Sequence, residues 1–146
     1  MNIYLSTALT TLLGVVLAVH LAMNGKVGAA LNNVPVGNAL FWCIGAAVAV
    51  AIGMFGWRQG ALTPLSEVNP VLLTAGAIGA CLVFGIAWLI PQMGAGNVMI
   101  ALLAGQVIGG LIMSHFGWLG SPVQPITIMK TAGAALMFTG VILASK

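Results

Sequence analysis

The residues best able to do chemistry in this sequence are a few polar side chains inside long apolar stretches. Gln106 lies near the middle of one stretch, where a buried amide without a hydrogen-bond partner is costly. It needs another helix, water in a cavity or a substrate. His20 and Asn24 are four residues apart and so share one helix face. Trp42 lies inside another stretch. We take these four residues as the candidates for lining a cavity, with Gln106 foremost.

Each candidate also has a plainer interpretation. Gln106 could form a structural hydrogen bond between helices, and Trp42 could belong to ordinary aromatic packing. His20 and Asn24 could lie at headgroup level and bond to water. His115, the other histidine, is placed where an interfacial aromatic belt is expected. The functional alternative is that His20 or His115 takes up a proton near neutral pH.

The composition is that of an integral membrane protein. Of 146 residues, 61% are hydrophobic and 3% charged, whereas a soluble domain carries about 25% charged residues. The excess apolar surface must therefore face a lipid bilayer. We expect no enzyme activity, metal or cofactor, because paired carboxylates, an activated nucleophile, a phosphate loop and a ligand cluster are all missing. The net charge of +3 is too small for a nucleic-acid surface.

Five apolar runs are long enough to cross a bilayer, since a span needs about 20 residues. We predict an all-α polytopic protein with a single membrane domain, 1–146. The predicted spans are residues 3–23, 37–56, 71–90, 95–114 and 126–144. Asn24-Gly25-Lys26 is expected to end the first helix and Pro91 the third, while Asn38 is expected to cap the second. An alternative has four spans, with the first run lying in the membrane interface.

The positive charges are evenly divided between the two predicted sides of the membrane. Arg58 lies on one side, with Lys130 if its side chain reaches back from the first turn of its helix. Lys26 and Lys146 lie on the other. The positive-inside rule therefore predicts no orientation. Either the insertion machinery selects one orientation, or the chain inserts both ways and pairs antiparallel.

Two helices carry stripes of small residues, which allow the close backbone approach on which helix contacts in lipid depend. The second helix carries Gly45, Ala49 and Gly53, and the fourth carries Gly105 and Gly109 in a GxxxG pattern. These stripes predict tight packing either within one chain or between chains.

Several short motifs resemble one family. They are Pro91-Gln92-Met93-Gly94-Ala95, Ala104-Gly105-Gln106, His115-Phe116-Gly117, Leu119-Gly120, Gly133 and Gly140-Val141, with His20, Asn24, Pro35 and Gly45 in the N-terminal half. Together they resemble the YdcZ family of the drug/metabolite transporter superfamily over nearly the whole chain. Two positions depart from the family pattern: His20 replaces a more usual glutamine, and Ser114 stands where an aspartate often precedes the histidine.

The resemblance implies a five-helix inner-membrane protein similar to one half of a ten-helix transporter. An odd number of spans makes a tandem duplicate inverted, and inverted halves enclose a site near the membrane midplane. A five-helix chain would then need a second copy or a paralogous partner. Unlike the small multidrug resistance proteins, this chain has no acidic residue in a predicted span.

The expected function is therefore export or permeation of an unidentified small molecule by an antiparallel homodimer or a heterodimer. Few charges in the spans favour a neutral or amphipathic substrate. The alternative is a membrane protein that transports nothing and acts as an accessory or interaction partner through its glycine stripes.

Overall fold

The computed structural model describes residues 2–144, and every regular element in that range is helical. The α-helices are α1 (Ile3–Ala30), α2 (Val34–Phe55), α3 (Pro70–Leu73), α4 (Ala75–Met93), α5 (Ala95–Phe116) and α6 (Ile128–Ala144). Only Thr74 separates α3 from α4, so the chain has five long helical stretches. The predicted all-α, polytopic fold is confirmed.

Four stretches are long and apolar enough to cross a membrane. They are Ile3–Ala30, Val34–Phe55, Pro70–Met93 and Ala95–Phe116. The apolar helix α6 has 17 residues, which gives it a length of about 26 Å against a hydrocarbon core of about 30 Å. The shortest of the five stretches is thus the last one. The first, which the alternative placed in the interface, is the longest, at 28 residues.

The predicted end of the first helix at residue 23 is wrong. Helix α1 continues through Asn24-Gly25-Lys26 to Ala30. Gly25 is buried, and a Cβ atom at this position would lie 3.4 Å from Ile90 Cβ on α4. Glycine lowers helix stability by about 1 kcal/mol relative to alanine. Here its small size lets α1 approach α4 closely, and that packing favours continuation of the helix.

The second helix begins earlier than the sequence predicted, because of the turn between α1 and α2. Asn32 adopts a left-handed conformation with φ 49°. The next residue, Asn33, caps α2, because its Oδ1 accepts a hydrogen bond from the Val36 N–H at 3.1 Å. Helix α2 therefore begins at Val34 rather than at residue 37. The prediction that Asn38 caps this helix is wrong, since Asn38 lies one turn inside it.

Two buried glycines form the closest contact between α1 and α2. An added Cβ on Gly37 would lie 2.7 Å from the Gly28 Cα atom, and an added Cβ on Gly28 would lie 3.1 Å from the Val34 Cα atom. A side chain at Gly37 would require a backbone shift, whereas one at Gly28 would require Val34 to move by a few tenths of an ångström. This hairpin contact places the second half of α1 against the first half of α2.

Pro91 does not end the third long stretch, as the sequence had suggested. Helix α4 includes Pro91 and continues to Met93, and Gly94 follows with φ 81°. The missing proline N–H removes the hydrogen bond to the Ala87 carbonyl. Because Pro91 is only two residues from the end of the helix, little regular structure remains to be lost. The remaining boundaries differ from the predicted ones by three residues or fewer.

The chain divides after Gln92 into two compact units. The first contains α1 to α4, with Leu21, Ile86 and Ala87 among its buried residues. The second contains α5 and α6, and Val98 and Ala104 of α5 are buried. That the two units make a single membrane domain stays a prediction.

The loop between α5 and α6 confirms the expected position of the Lys130 side chain. Its Nζ donates to the Gln124 Oε1 atom at 3.4 Å and to the Pro125 carbonyl at 3.3 Å, so it reaches back from the first turn of α6. On the other predicted side, Lys26 lies inside α1 and is exposed. Lys146 lies outside the described residues, so the charge balance stays a prediction.

Candidate functional site

A pair of asparagines joins three helices in the first unit. Asn24 of α1 donates through Nδ2 to the Asn38 Oδ1 atom on α2 at 3.3 Å. Asn38 in turn donates through Nδ2 to the Ala80 carbonyl on α4 at 3.4 Å. Asn24 is only 2% exposed. Its side chain is therefore enclosed by other residues of the first unit rather than exposed on its surface. We call Asn24 and Asn38 the asparagine pair.

The direction of these hydrogen bonds follows from the one partner that cannot change its role. A backbone carbonyl only accepts, so Asn38 must turn its Nδ2 toward Ala80. The Asn38 Oδ1 atom is then left for Asn24, which must present its own Nδ2. The Asn24 Oδ1 atom consequently remains as an acceptor. It is buried and has no hydrogen-bond partner among the described residues.

An aromatic cluster of His20, Phe41 and Trp42 lies next to the asparagine pair. The His20 and Phe41 ring centroids are 4.6 Å apart, and those of Phe41 and Trp42 are 5.8 Å apart with the rings nearly perpendicular. The Trp42 ring extends to Gly79 on α4, where an added Cβ would lie 3.7 Å from its Cη2 atom. His20 itself is exposed. His20 of the cluster and Asn24 of the asparagine pair lie on the same face of α1, since Asn24 is one turn from His20.

The Trp42 side chain provides a second polar atom without a partner. Its Nε1 atom is buried and makes no hydrogen bond within the part of the chain that the structure describes. Trp42 follows Asn38 by four residues, on the same face of α2. The site therefore combines a free acceptor, Asn24 Oδ1, with a free donor, Trp42 Nε1–H. Each unpaired buried group costs about 1–3 kcal/mol, which a bound molecule with matching groups would recover.

The sequence did not identify Asn38 as part of this site. An asparagine near a helix start favours a capping role, but Asn33 lies directly before Val34-Pro35 and fills that role. The available signal was the spacing between Asn38 and Trp42, which puts both residues on one face. The asparagine pair and the aromatic cluster bring together three of the four predicted cavity residues: His20, Asn24 and Trp42.

Gln106, the fourth predicted residue, belongs to the second unit. Its side chain is exposed, and it forms no side-chain hydrogen bond to any residue between 2 and 144. The sequence argument required a partner for this amide in lipid, and none is found among those residues. Gly105 and Gly109 lie beside it, and an added Cβ on either would meet open space. The lining role of Gln106 stays a prediction.

The predicted glycine stripe of α2 also faces open space. Gly45, Ala49 and Gly53 are exposed, and no atom lies within 4 Å of a Cβ added at either glycine. The close contacts within the first unit involve Gly25, Gly28 and Gly37 instead. A packing role for the stripes requires another surface, and it stays a prediction.

His115 has a structural partner in the second unit. Its Nδ1 atom accepts a hydrogen bond from the Ile126 N–H at 3.2 Å, and the preceding Ser114 carbonyl accepts from the Gln124 N–H at 2.8 Å. Its ring also contacts Phe116 edge-to-face, with centroids 4.8 Å apart. These bonds hold the loop before α6 against the end of α5.

Comparison with known families identifies the family to which the chain belongs. Residues 5–143 match the family model described as "Putative inner membrane exporter, YdcZ". The chain belongs to the YdcZ family. The resemblance found in the sequence motifs is thereby confirmed over almost the entire length. No curated protein and no solved structure matches the chain.

Membership of the YdcZ family gives the chain a location and a class of activity. With four apolar spans, it is a multi-pass protein of the inner membrane. The family description points to export rather than to catalysis. Among residues 2–144, no group of three or more His, Cys, Asp or Glu side chains could hold a metal ion.

Proposed function

We propose that this YdcZ chain exports a small neutral or amphipathic molecule and binds it at the asparagine pair and the aromatic cluster. The observation that carries the proposal is the buried Asn24 Oδ1 atom, which has no partner among the described residues. A polar group inside a membrane protein is costly and often marks a substrate pathway. A substrate that supplies the missing hydrogen bond gives this costly arrangement a function.

The proposed substrate carries little charge because the site offers none. The only carboxylate in the sequence, Glu67, lies in a short 3₁₀-helix, Thr63–Glu67, outside the long helices. The nearest titratable side chain in the site is His20, whose ring lies against Phe41. Amide and aromatic groups suit a molecule with one polar group and one apolar face. Alternating access would come from rocking of two five-helix halves.

The proposed exporter contains two five-helix chains, arranged as an antiparallel homodimer or as a heterodimer with a paralogous partner. Three features support this assembly. The exposed Gln106 needs a hydrogen-bond partner in lipid. Beside it, Gly105 and Gly109 present an open surface on which another helix can pack closely. The odd number of long helices is the third, since it makes the second half of a tandem duplicate inverted relative to the first, and two antiparallel chains reproduce that arrangement.

Transport tests the exporter proposal directly. Purified protein in liposomes is screened for saturable uptake of labelled neutral and charged metabolites. The Asn24→Leu variant is expected to lose at least about tenfold in transport efficiency, from loss of the substrate bond and of the bond to Asn38. Asn97→Leu is the matched control, because Asn97 bonds only to the Met93 carbonyl of the preceding turn. Uptake at equal rates by wild type and Asn24→Leu would contradict the proposal. Absence of saturable uptake, together with a reproducible partner protein, would favour the accessory role.

Reporter fusions after Lys146 test the antiparallel arrangement. One reporter is active only in the cytoplasm and the other only outside it. Activity of both fusions is expected for a chain that inserts both ways. Activity of one fusion alone would exclude an antiparallel homodimer and leave a heterodimer with an oppositely oriented partner.

A further inference from the structure

We infer that the site selects uncharged molecules whose polar group both donates and accepts hydrogen bonds, as a carboxamide does. This inference rests on the proposed function and specifies its substrate class. It starts from the two buried atoms without partners, the acceptor Asn24 Oδ1 and the donor Trp42 Nε1–H. A ligand that satisfies both must offer one donor and one acceptor.

Quaternary ammonium ions and carboxylates each leave at least one of the two atoms unpaired. A quaternary ammonium ion neither donates nor accepts a hydrogen bond, so it leaves both atoms unpaired even while it contacts aromatic rings. A carboxylate donates none, so it leaves Asn24 Oδ1 unpaired, and no Lys or Arg belongs to the asparagine pair or the aromatic cluster to compensate its charge; Lys26, two residues from Asn24, is exposed. A tertiary amide accepts from Trp42 but cannot donate to Asn24. The complete match is a neutral primary or secondary amide, or a group with the same pair of functions.

The spacing of the residues that carry the two atoms also favours a carboxamide. Asn24 bonds to Asn38, and Trp42 follows Asn38 by four residues, which corresponds to a rise of about 6 Å along α2. A carboxamide carries its N–H and C=O on different atoms and so reaches partners that are separated along the helix. The Phe41 and His20 rings, continuous with Trp42, provide an apolar surface for the rest of the molecule.

The indole N–H signals of the full-length chain report binding at this site without requiring transport. The protein has four tryptophans; labelled with ¹⁵N-tryptophan in micelles, it gives one signal for each, and Trp42→Phe assigns that of Trp42. Four probes of similar size are titrated: benzamide, N,N-dimethylbenzamide, benzoate and benzyltrimethylammonium. Benzamide is expected to shift the Trp42 signal saturably. N,N-dimethylbenzamide and benzoate are each expected to bind about three- to tenfold more weakly, the effect of one lost hydrogen bond, and benzyltrimethylammonium, which loses both bonds, more weakly still.

Trp88 is the internal control within the same unit. It lines an open cavity of about 420 Å³ with Asn32 and Gln92, away from the asparagine pair. Benzamide is expected to leave its signal in place. If benzamide shifts Trp88 rather than Trp42, if all four probes shift Trp42 equally, or if none does, the inference is overturned. The last result would assign the two atoms to bound water.

Two variants separate recognition from folding. Asn24→Leu is expected to weaken the benzamide shift by about three- to tenfold. Where this variant does not fold, Trp42→Phe retains the aromatic ring, and benzamide is expected to raise its thermal stability less than that of wild type and of Trp88→Phe. Equal stabilisation of all three proteins would contradict the inference.

Failure of this inference is distinguishable from failure of the exporter proposal. Selective benzamide binding without uptake of any metabolite would leave the amide specificity standing and contradict export. Saturable uptake that depends on Asn24 but shows no preference for amides would leave export standing and contradict the specificity.

Discussion

Replacement of Gly37 by alanine tests the close approach of α2 to Gly28 on α1. The added Cβ would lie 2.7 Å from the Gly28 Cα atom and 2.8 Å from its nitrogen. Carbon atoms in favourable contact are about 3.5–4.0 Å apart. Helices α1 and α2 would therefore have to separate locally by about 0.8 Å, because both obstructing atoms are backbone. Overpacking of this kind costs about 1–3 kcal/mol.

Gly45→Ala is the matched control for this experiment. It makes the same chemical change in the same helix, but no atom lies within 4 Å of the new Cβ. Both variants gain about 1 kcal/mol of helix propensity, which cancels when they are compared. Gly37→Ala should therefore have an unfolding free energy about 1–3 kcal/mol lower than that of Gly45→Ala.

The assay is reversible unfolding in mixed micelles by increasing fractions of SDS, followed by circular dichroism. It is performed at a dilution at which the chain is monomeric, because Gly45 belongs to a stripe proposed to contact another chain. Equal free energies for the two variants, within about 0.5 kcal/mol, would refute the close approach of Gly28 and Gly37.

Three further variants test other contacts. Asn38→Leu removes both hydrogen bonds of Asn38 and should lower the unfolding free energy by about 1–3 kcal/mol in the same SDS titration. The control variant Asn97→Leu should lower it less. Equal losses would contradict the interhelical role of Asn38. His115→Phe keeps an aromatic ring but removes the acceptor of the Ile126 N–H. Amide hydrogen exchange at Ile126 should therefore accelerate about three- to tenfold. An unchanged exchange rate would show that this hydrogen bond does not hold the loop. Gly105→Leu should weaken self-association on the order of tenfold, about 1.4 kcal/mol, in a crosslinking titration; an unaltered dimer fraction would exclude the α5 stripe from the interface.

The long apolar runs determined the class of the protein and most of its helices. Lipid allows only backbone that satisfies its own hydrogen bonds, so each run of about 20 apolar residues had to become a helix. This argument does not depend on which residues touch, and it therefore held for α2 to α5 within a few residues. The family could also be identified from short motifs spread over the chain, and the family match confirms it.

The helix ends marked by Asn24-Gly25-Lys26 and by Pro91 could not be predicted in the same way. Local preference favours an end at both places. Contacts with another helix override that preference at Gly25, which lies against Ile90. At Pro91 the helix continues only to Met93, so the proline disrupts little. Packing between helices distant in sequence cannot be read from local composition.

The sequence by itself supplied the candidates for the site, because a polar side chain in an apolar run is visible without a structure. It selected His20, Asn24 and Trp42 on these grounds, but it assigned Asn38 to a cap and ranked Gln106 first. Tertiary structure alone decided which candidates meet, since the bonds from Asn24 to Asn38 and from Asn38 to Ala80 join three separate helices. It also decided which polar atoms remain unpaired, because a hydrogen bond depends on the position and direction of a partner far along the chain.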